Sequence, residues 1–205
     1  TVVLEDLVAK VRSDAPLEKA CLIGCGVMTG VGAVVNKAKV EAGSTVVVIG
    51  CGGVGLNVIQ GAVLASAGKI IAVDKLDFKL EKAGEMGATH FINADKEDPV
   101  TKVLEITDGG SDYAFEVIGF PDTIRQAFET TRRGGTTVMV GVPPENSELT
   151  FAGLPLWLDR TVTGTFYGNA QPRVDFPWLL DLYMDGRLKL DELITQYRPL
   201  EEINE

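Results

Sequence analysis

Cys25 stands between two glycines in the stretch LIGCGVMTG, at the end of a short apolar run. A free cysteine in such a place is most often a small apolar side chain that fills a gap in the core. A thiolate that binds zinc is the alternative, because flanking glycines remove side-chain bulk and let a metal ion approach. Spacing alone leaves both interpretations open, and Cys25 is therefore the first candidate metal ligand.

A second candidate site is the glycine-rich stretch TVVVIGCGGVGLNVI, in which Gly50, Gly52 and Gly55 form the pattern G-x-G-x-x-G. This pattern follows an apolar strand and opens a helix, which is the context that dinucleotide binding requires. The first glycine allows a tight turn, the second lets the backbone approach a diphosphate, and the third lets helix and strand pack closely. Gly53 belongs to the same loop, and the helix start offers N–H groups and a positive dipole end to phosphates.

An acidic residue at the end of the next strand bears on which dinucleotide is bound. The strand KIIAVD ends at Asp74, roughly 20 residues after the last glycine of the pattern. A carboxylate there can accept hydrogen bonds from both hydroxyls of an adenosine ribose and repels a 2′-phosphate, which favours NAD over NADP. If the segment does not bind a dinucleotide, the same pattern is a tight turn between strand and helix, followed by an aspartate at the surface.

The glycine loop also resembles the first motif of methyltransferases that bind S-adenosylmethionine. Such sites have glycines at alternate positions, G-x-G-x-G, and here Val54 stands where the third glycine would be. The spacing therefore favours the dinucleotide.

Alternating strands and helices must position these residues. Strands are predicted at Thr45–Ile49, Lys69–Val73, His90–Asn93, Asp112–Val117, Thr136–Val140 and Thr161–Phe166. Helices between the first five strands are predicted at Val54–Ser66, Phe78–Glu85, Pro99–Ile106 and Thr123–Thr130. Near-continuous apolar strands that alternate with helices indicate a parallel sheet covered on both faces. The predicted fold class is therefore α/β, a doubly wound, parallel six-stranded sheet of the Rossmann type.

The two flanks do not continue this alternation. Residues 1–23 are amphipathic and end in an apolar run, and residues 173–205 combine one helix, Asp175–Met184, with a loose strand-like stretch, Leu193–Arg198. Neither flank is long enough to build a second core alone. Because the chain opens with TVVLED rather than Met and stops in LEEINE, we expect both ends to be cuts through a longer protein.

Composition disfavours several classes of partner. The chain of 205 residues carries a formal net charge of −10, which works against binding to nucleic acid or to an anionic membrane. No apolar run approaches the ~20 residues that span a bilayer. Three cysteines, an odd number, do not form a disulfide framework, and we expect a cytoplasmic protein. We interpret Cys21 as a core residue and the single histidine, His90, as structural or exposed rather than a ligand.

Six segments, in their order along the chain, resemble the coenzyme-binding half of the zinc-dependent medium-chain alcohol dehydrogenases. They are EKACLIGCGVMTGVGAVVNKAKV, GSTVVVIGCGGVGLNVIQGA, IIAVD, FEVIG, VGVPP and ITQYRPLEEINE, and the resemblance covers nearly the whole chain. Among subfamilies the chain is most similar to the class III-like and aryl-alcohol-like bacterial enzymes. The resemblance implies an NAD-binding Rossmann domain at residues 24–172. It implies that residues 1–23 end the first segment of a catalytic domain and that residues 173–205 begin the return to it.

The resemblance also implies roles for individual residues. Cys25 and Thr29 are the implied catalytic residues, Cys25 as the third protein ligand of the catalytic zinc and Thr29 on the nicotinamide side of the cofactor. The other implied cofactor contacts are Val54 at the nicotinamide, Asp74 and Lys79 at the ribose, Ile118 at the adenine, Val140 and Val142 at the nicotinamide ring, and the backbone of Thr165 and Tyr167 at the carboxamide. Without the resemblance, a solvated residue on a helix face is an equally good interpretation of Lys79, and periodicity alone favours ordinary strand core for Ile118, Val140 and Val142.

The implied activity is oxidation of an alcohol to an aldehyde or ketone, with hydride transfer to NAD+. Zinc held by three protein ligands keeps a fourth position for substrate and lowers the pKa of the bound alcohol. The family's other two ligands, a cysteine and a histidine, and its lobe of four cysteines for structural zinc have no match in this sequence. We therefore expect this chain alone to bind NAD(H) with little or no turnover.

Two further function classes stay open besides the methyltransferase. One is the zinc-free, quinone reductase-like branch of the same superfamily, against which Cys25 argues. The other is a module that only binds cofactor and dimerises. The family pairs its coenzyme domains through the last strand, so we expect a homodimer through the edge near Thr161–Phe166. The stretch Leu149–Phe166 is apolar and carries Trp157, which could alternatively contact another domain.

Overall fold

A computed structural model describes residues 2–5 and 8–203 of the chain. The strands are β1 Thr45–Ile49, β2 Lys69–Asp74, β3 His90–Asn93, β4 Ser111–Glu116, β5 Thr131–Met139 and β6 Thr161–Gly164. They form one sheet in the order β3-β2-β1-β4-β5-β6, and every pairing is parallel. The chain reverses its direction across the sheet between β1 and β4, which opens a crevice at the carboxyl ends of the strands. The predicted doubly wound, six-stranded fold is confirmed.

Helices cover both faces of the sheet. They are α1 Leu17–Ala20, α2 Gly26–Gly32, α3 Gly53–Leu64, α4 Asp77–Glu85, α5 Pro99–Thr107, α6 Pro121–Glu129, α7 Gly153–Trp157 and α8 Pro172–Met184. A π-helical turn, Ala33–Ala38, continues α2. Single 3₁₀ turns lie at Cys21–Gly24, Tyr167–Asn169, Asp191–Leu193 and Leu200–Glu202.

The core lies on both faces of the central strands. In β1, Val46 and Val48 belong to the cluster under α3, whereas Val47 and Ile49 belong to the cluster on the opposite face. Side chains of a strand alternate between the faces, so a strand covered on both sides must be apolar at every position. This is why the run TVVVI is a reliable signal for a central strand.

Glycines let α2 approach α3 closely. A Cβ atom on Gly30 would lie 2.6 Å from the Cβ of Asn57, and one on Gly61 would lie 3.0 Å from the Cβ of Val34. Such distances are too short for real side chains, so the two helices pack backbone to backbone here. As a result the start of α2, which follows Cys25, lies beside the start of α3, because a Cβ on Gly26 would contact Val54 at 3.8 Å.

The two flanks share a core with the middle of the chain. Ile23, Val27 of α2, and Leu179 and Leu180 of α8 are all buried in one cluster. Arg12 bonds Asp181 across the same interface at 2.9 Å. Both flanks therefore pack on α2 instead of standing apart from the sheet.

Two local predictions in the flanks are wrong. The stretch Leu193–Arg198 is not a strand; a 3₁₀ turn, Asp191–Leu193, is followed by irregular backbone. Cys21 is exposed and is not a core residue. In the 3₁₀ turn that it begins, residues two apart point in different directions, so Ile23 enters the core while the Cys21 sulfur lies 3.3 Å from the carbonyl oxygen of Glu18.

Within the described part of the chain, no individual helix combines the length and apolar character needed to cross a membrane. The segments Leu17–Gly24 and Gly26–Ala38 meet that criterion only when taken together, and they are bent by 55°.

Candidate functional site

A cavity of about 850 Å³ lies at the carboxyl ends of the strands, where the sheet order reverses. Five of the residues named from the sequence line it. Gly50 and Gly52 follow β1, Asp74 and Lys79 lie at and after the end of β2, and Ile118 follows β4. The position of the cavity matches the general rule that ligands of open α/β sheets bind at the carboxyl ends of the strands, where the strand order reverses.

The glycine loop between β1 and α3 is bent tightly enough to need glycine at two positions. Gly50 has a φ of +100°, and its N–H donates to the carbonyl oxygen of Val73 at 2.8 Å. A Cβ on Gly55 would overlap with the carbonyl oxygen of Gly50. Neither position therefore tolerates a side chain, for reasons that lie within the fold itself.

Gly52 and Gly53 differ from those two glycines. A Cβ at either position would meet no atom within 4 Å, so nothing in the described protein requires glycine there. Both residues lie at the start of α3, where backbone N–H groups lack helical partners and the helix dipole is positive. The open space in front of them is what a diphosphate would need to approach the backbone.

Asp74 is held in place by the loop that it faces. Its Oδ2 accepts a hydrogen bond from the N–H of Cys51 at 2.9 Å, and its Oδ1 accepts one from the N–H of Leu76 at 3.1 Å. The ammonium of Lys79 lies 3.8 Å from Oδ2. A carboxylate has about four acceptor sites, so Asp74 keeps acceptors free toward the cavity and can take hydrogen bonds from hydroxyl groups.

The ends of β4 and β5 supply the wall opposite Asp74. Ile118 packs on the loop, since a Cβ on Gly50 would lie 2.7 Å from its Cγ1. Val140 is buried in the core, whereas Val142 is 88% exposed. Of these three predicted contacts, only Ile118 lines the cavity itself.

Thr29, Val54 and Tyr167 lie beside the loop that carries Cys25, outside the lining of this cavity. Cys25 is exposed just before α2, and its carbonyl oxygen accepts the N–H of Thr29 at 2.9 Å. The hydroxyl of Tyr167 donates to the carbonyl oxygen of Gly24 at 2.7 Å. Burial raises the pKa of Tyr167, and the nearby Cys25 raises it further. The residue Thr165 extends from β6, with its N–H bonded to the carbonyl oxygen of Met139 at 3.0 Å.

A glycine contact holds Tyr167 against α2. Tyr167 has a φ of +55°, and Gly168 beside it has a φ of +65°. A Cβ on Gly168 would lie 2.9 Å from the Cα of Gly32, so the turn after β6 sits directly on the α2 backbone. This contact brings the end of the edge strand to the loop that carries Cys25.

The described residues do not by themselves form a zinc site. They contain no group of three or more His, Cys, Asp or Glu side chains that could hold a metal ion. Cys51 is buried, and burial followed by the charge of Asp74 raises its pKa to about 12, so it stays a neutral thiol. His90 bonds its neighbour Thr89 at 2.9 Å. Since zinc in proteins takes three or four protein ligands, Cys25 would need partners from outside the described residues.

One residue at the cavity was missed by the sequence analysis. Glu116 ends β4 and is fully buried, and its Oε1 accepts hydrogen bonds from the N–H groups of Ile118 and Gly119 and from the hydroxyl of Thr123. It stands in the segment FEVIG, from which only the isoleucine was singled out. An acidic residue directly after the apolar run Tyr113–Phe115 of β4 was the available signal.

Comparison with known proteins agrees with this geometry. Residues 53–185 match the family described as "Zinc-binding dehydrogenase". The S-(hydroxymethyl)glutathione dehydrogenase of Paracoccus denitrificans is 45% identical over 212 residues, which cover 100% of this chain and 56% of the relative. The class-3 alcohol dehydrogenase of Zea mays is also 45% identical, over 208 residues that cover 100% of this chain and 55% of that protein.

Solved structures give the same result. An alcohol dehydrogenase zinc-binding domain protein from Burkholderia ambifaria superimposes with a TM-score of 0.94 at 39% identity, covering 98% of this chain and 54% of that one. The benzyl alcohol dehydrogenase of Acinetobacter calcoaceticus superimposes with a TM-score of 0.91 at 37% identity, covering 94% and 54%. The chain thus spans a little over half the length of these proteins. It belongs to the family of zinc-dependent medium-chain alcohol dehydrogenases.

Proposed function

We propose that this chain is the NAD(H)-binding domain of a zinc-dependent alcohol dehydrogenase that oxidises an alcohol to an aldehyde or ketone. The observation that carries the proposal is the open space in front of Gly52 and Gly53, beside a carboxylate, Asp74, that the same loop holds in place. A phosphate-binding backbone and a ribose-binding acid next to each other are the two parts of a dinucleotide site.

Each part of the cofactor has a matching group in the chain. The diphosphate would lie on the N–H groups at the start of α3, and Asp74 would accept hydrogen bonds from the adenosine ribose, with Lys79 beside it. Ile118 would form the apolar wall for the adenine. When bound, the nicotinamide supplies the acceptor of the hydride that leaves the alcohol carbon.

The nicotinamide end would lie toward Cys25. Thr29, Val54 and Val142 offer small side chains there, and the backbone of Thr165 and Tyr167 would hold the carboxamide. The tight contact of the turn after β6 with α2 supports this arrangement, because it fixes the strand end beside the Cys25 loop. These positions remain assignments by family likeness.

The preference for NAD over NADP is part of the proposal. A 2′-phosphate would approach Asp74, whose side chain is only 10% exposed and is already fixed by two backbone N–H groups. A 2′-phosphate and the Asp74 carboxylate are both negatively charged and would repel each other, and the carboxylate has little freedom to turn away. The ammonium of Lys79, 3.8 Å from Oδ2 of Asp74, would reduce that repulsion without cancelling it.

Turnover would require groups from outside the described residues. Cys25 is one candidate zinc ligand, and a closed cleft around the alcohol is also needed to exclude water. We therefore propose that the 205-residue chain alone binds cofactor and turns over little or no alcohol. Two relatives are named for S-(hydroxymethyl)glutathione and benzyl alcohol, which makes these the first alcohols to test with a full-length protein.

A homodimer through the β6 edge is a second part of the proposal. Leu154 and Trp157 of α7 are 66% and 78% exposed, and Phe166 beyond β6 is 93% exposed. An apolar surface next to an unpaired sheet edge favours pairing with a second copy. Light scattering of the wild type and of Trp157→Lys tests this: a dimer that the substitution converts to a monomer supports it, and a wild-type monomer contradicts it. The cytoplasmic location stays a prediction.

Titration of the chain with NADH, followed by nicotinamide fluorescence, tests the cofactor assignment. We expect saturable NADH binding, at least about tenfold weaker NADPH binding, and no thermal shift with S-adenosylmethionine. Gly52→Ala places a methyl group in the open space, and we expect weaker NADH binding with an unchanged melting temperature. Preference for S-adenosylmethionine over NADH would overturn the proposal. NADPH-dependent reduction of a quinone would favour the zinc-free branch instead.

Zinc content tests the metal part separately. We expect a zinc-to-chain ratio near zero in the dialysed protein. A ratio near one that is lost in Cys25→Ala, together with alcohol-dependent reduction of NAD+, would contradict the proposed lack of turnover.

A further inference from the structure

We propose that Glu116 is a positioning residue for cofactor binding, whose buried carboxylate shapes the turn that forms the adenine wall of the cleft. The proposal rests on the proposed function and adds to it a residue that never touches the cofactor. It starts from a fully buried acidic side chain at the end of β4, directly before the segment Val117–Gly119.

The hydrogen bonds of Glu116 are unevenly distributed. Its Oε1 accepts the N–H of Ile118 at 2.9 Å, the N–H of Gly119 at 2.8 Å and the hydroxyl of Thr123 at 2.7 Å. Its Oε2 is buried and has no hydrogen-bond partner among the described residues.

This arrangement is costly if stability is its only purpose. A buried carboxylate with one unpaired oxygen loses solvation that three hydrogen bonds to the other oxygen do not fully replace. Even buried ion pairs are often replaced by well-packed apolar residues without loss of stability, so a buried charged group is weak evidence for a purely stabilising role. The carboxylate of Glu116 is therefore better explained by the geometry that it imposes on its three donors.

The three donors belong to the part of the chain that walls the cavity. Ile118 and Thr123 both line it. Ile118 also packs against Gly50 of the phosphate loop, so a shift of the Ile118 backbone would change the distance between adenine wall and loop. Two N–H groups on one oxygen fix the orientation of two successive peptide planes, which a single bond would not.

The same residue also fixes the neighbouring strand end. The carbonyl oxygen of Glu116 accepts the N–H of Val140 at 2.8 Å and the N–H of Gly141 at 3.0 Å. Gly119 has a φ of +95°, and a Cβ there would overlap with the carbonyl oxygen of Val142. Through its main chain and side chain, Glu116 therefore links the adenine wall to the strand end assigned to the nicotinamide.

Binding affinity should depend on this link. A turn that is already in its binding conformation loses no further conformational freedom when the cofactor binds, whereas a loosened turn must be ordered by the cofactor. Removing the acceptor should thus weaken NADH binding even in protein that stays folded.

The test measures NADH affinity and thermal stability in three variants at the cleft. Glu116→Ala removes the acceptor, and we expect NADH affinity to fall about tenfold or more. Glu116→Gln keeps an amide oxygen where Oε1 stands, and we expect affinity within about threefold of wild type. Thr123→Val removes one of the three donors, and we expect a loss of about threefold with a small change in melting temperature.

Asp112→Ala is the matched control. Asp112 lies at the other end of the same strand, where its Oδ2 accepts the N–H of Thr45 at 2.7 Å. Loss of that bond should lower the melting temperature and leave the NADH dissociation constant unchanged. The control separates an effect on the cleft from a general loss of stability.

The outcomes separate the two proposals. If wild type binds NADH and Glu116→Ala binds it equally well, as Asp112→Ala does, the positioning role is wrong and the cofactor assignment stands. If Glu116→Gln is as weak as Glu116→Ala, the acceptor geometry is not what matters and the proposal fails. If Glu116→Ala does not fold, unchanged NADH affinity in Thr123→Val overturns it. If wild type does not bind NADH, the proposed function fails and this inference with it.

Discussion

The adenosine end and the Cys25 end of the cleft are built to different degrees of completion. At the adenosine end the carboxylate, loop and wall hold one another, and the Asp74 side chain is only 10% exposed. At the other end the Cys25 thiol and Val142 are exposed, and no other metal-binding side chains gather there among the described residues. The difference teaches that, under the proposed function, cofactor binding and metal chemistry are separable. The proposed dinucleotide site lies within this chain, whereas a zinc site would need ligands from outside the described residues.

The largest expected effect on stability and NADH binding comes from a substitution at the tightest backbone contact of the adenosine end. Gly55→Ala would place a Cβ on the carbonyl oxygen of Gly50, and we expect it to lower the free energy of unfolding by about 3 kcal/mol and to abolish NADH binding. Gly24→Ala, next to Cys25, is the control, since a Cβ there meets no atom within 4 Å. Urea unfolding of both variants checks this, and equal destabilisation would contradict the contrast.

Removing the proposed ribose acid tests the same end at a side chain, and it also removes the acceptor of the Cys51 and Leu76 N–H groups. In Asp74→Ala we expect NADH affinity to fall by about 10- to 100-fold, because charge-assisted hydrogen bonds are each worth roughly 1.5–3 kcal/mol. NADPH affinity should fall less, because the repulsion of the 2′-phosphate is lost as well. Isothermal titration with both cofactors measures the two constants, and an unchanged preference would rule out the ribose assignment.

Cys51 gives the adenosine end a pH dependence of stability. Burial raises the pKa of Cys51 from 9.0 to about 12, so the unfolded chain loses this proton at a lower pH than the folded one. The stabilisation is present below about pH 9 and decreases toward pH 12 by about 1 kcal/mol per pH unit. Urea unfolding at about pH 8 and about pH 10 should show a smaller decrease for Cys51→Ala than for wild type. Parallel pH curves for the two proteins would contradict this.

The smallest effect on stability and NADH binding is expected at the Cys25 end. Cys25 is exposed, so Cys25→Ser should change the free energy of unfolding by less than about 0.5 kcal/mol and leave NADH affinity unchanged. In a full-length protein the same substitution should remove zinc and turnover, because the other ligands are then present. Zinc analysis of both lengths of protein sharpens the comparison. A loss of NADH affinity in the short chain would show that the two ends are coupled.

The sheet could be predicted from the sequence because its central strands are apolar on both faces. The prediction for His90–Asn93 matches β3 at both ends, and Thr45–Ile49 matches β1. The start of β5 was placed at Thr136 instead of Thr131, because the polar and glycine-rich run TRRGG gives no strand period. This first part of β5 pairs with β4 through a register shift between Ser111 and Tyr113. The shift depends on the partner strand and cannot be seen in the sequence of β5 alone.

Helix α2 and the role of Glu116 could not be predicted for related reasons. The sequence GVMTGVG has no polar face, since α2 is buried against α3, and its glycines argue against a helix in isolation. For Glu116, sequence gives the acid but not the three donors, which lie in a turn formed after the strand ends. The positions of the glycine loop and Asp74 at the cavity were predictable because the motif that places them depends on spacing along one chain segment.

The burial of the three cysteine side chains determines the order in which oxidants would modify them. Cys21 and Cys25 are exposed, while Cys51, a residue of the glycine loop, is buried, and burial raises the pKa of its thiol. Oxidation to sulfenic and higher acids follows thiolate character and access, so the two exposed sulfurs are attacked before the buried one. Oxidative damage would therefore reach Cys21 and the proposed metal ligand Cys25 first, and leave the buried thiol of the proposed dinucleotide site intact.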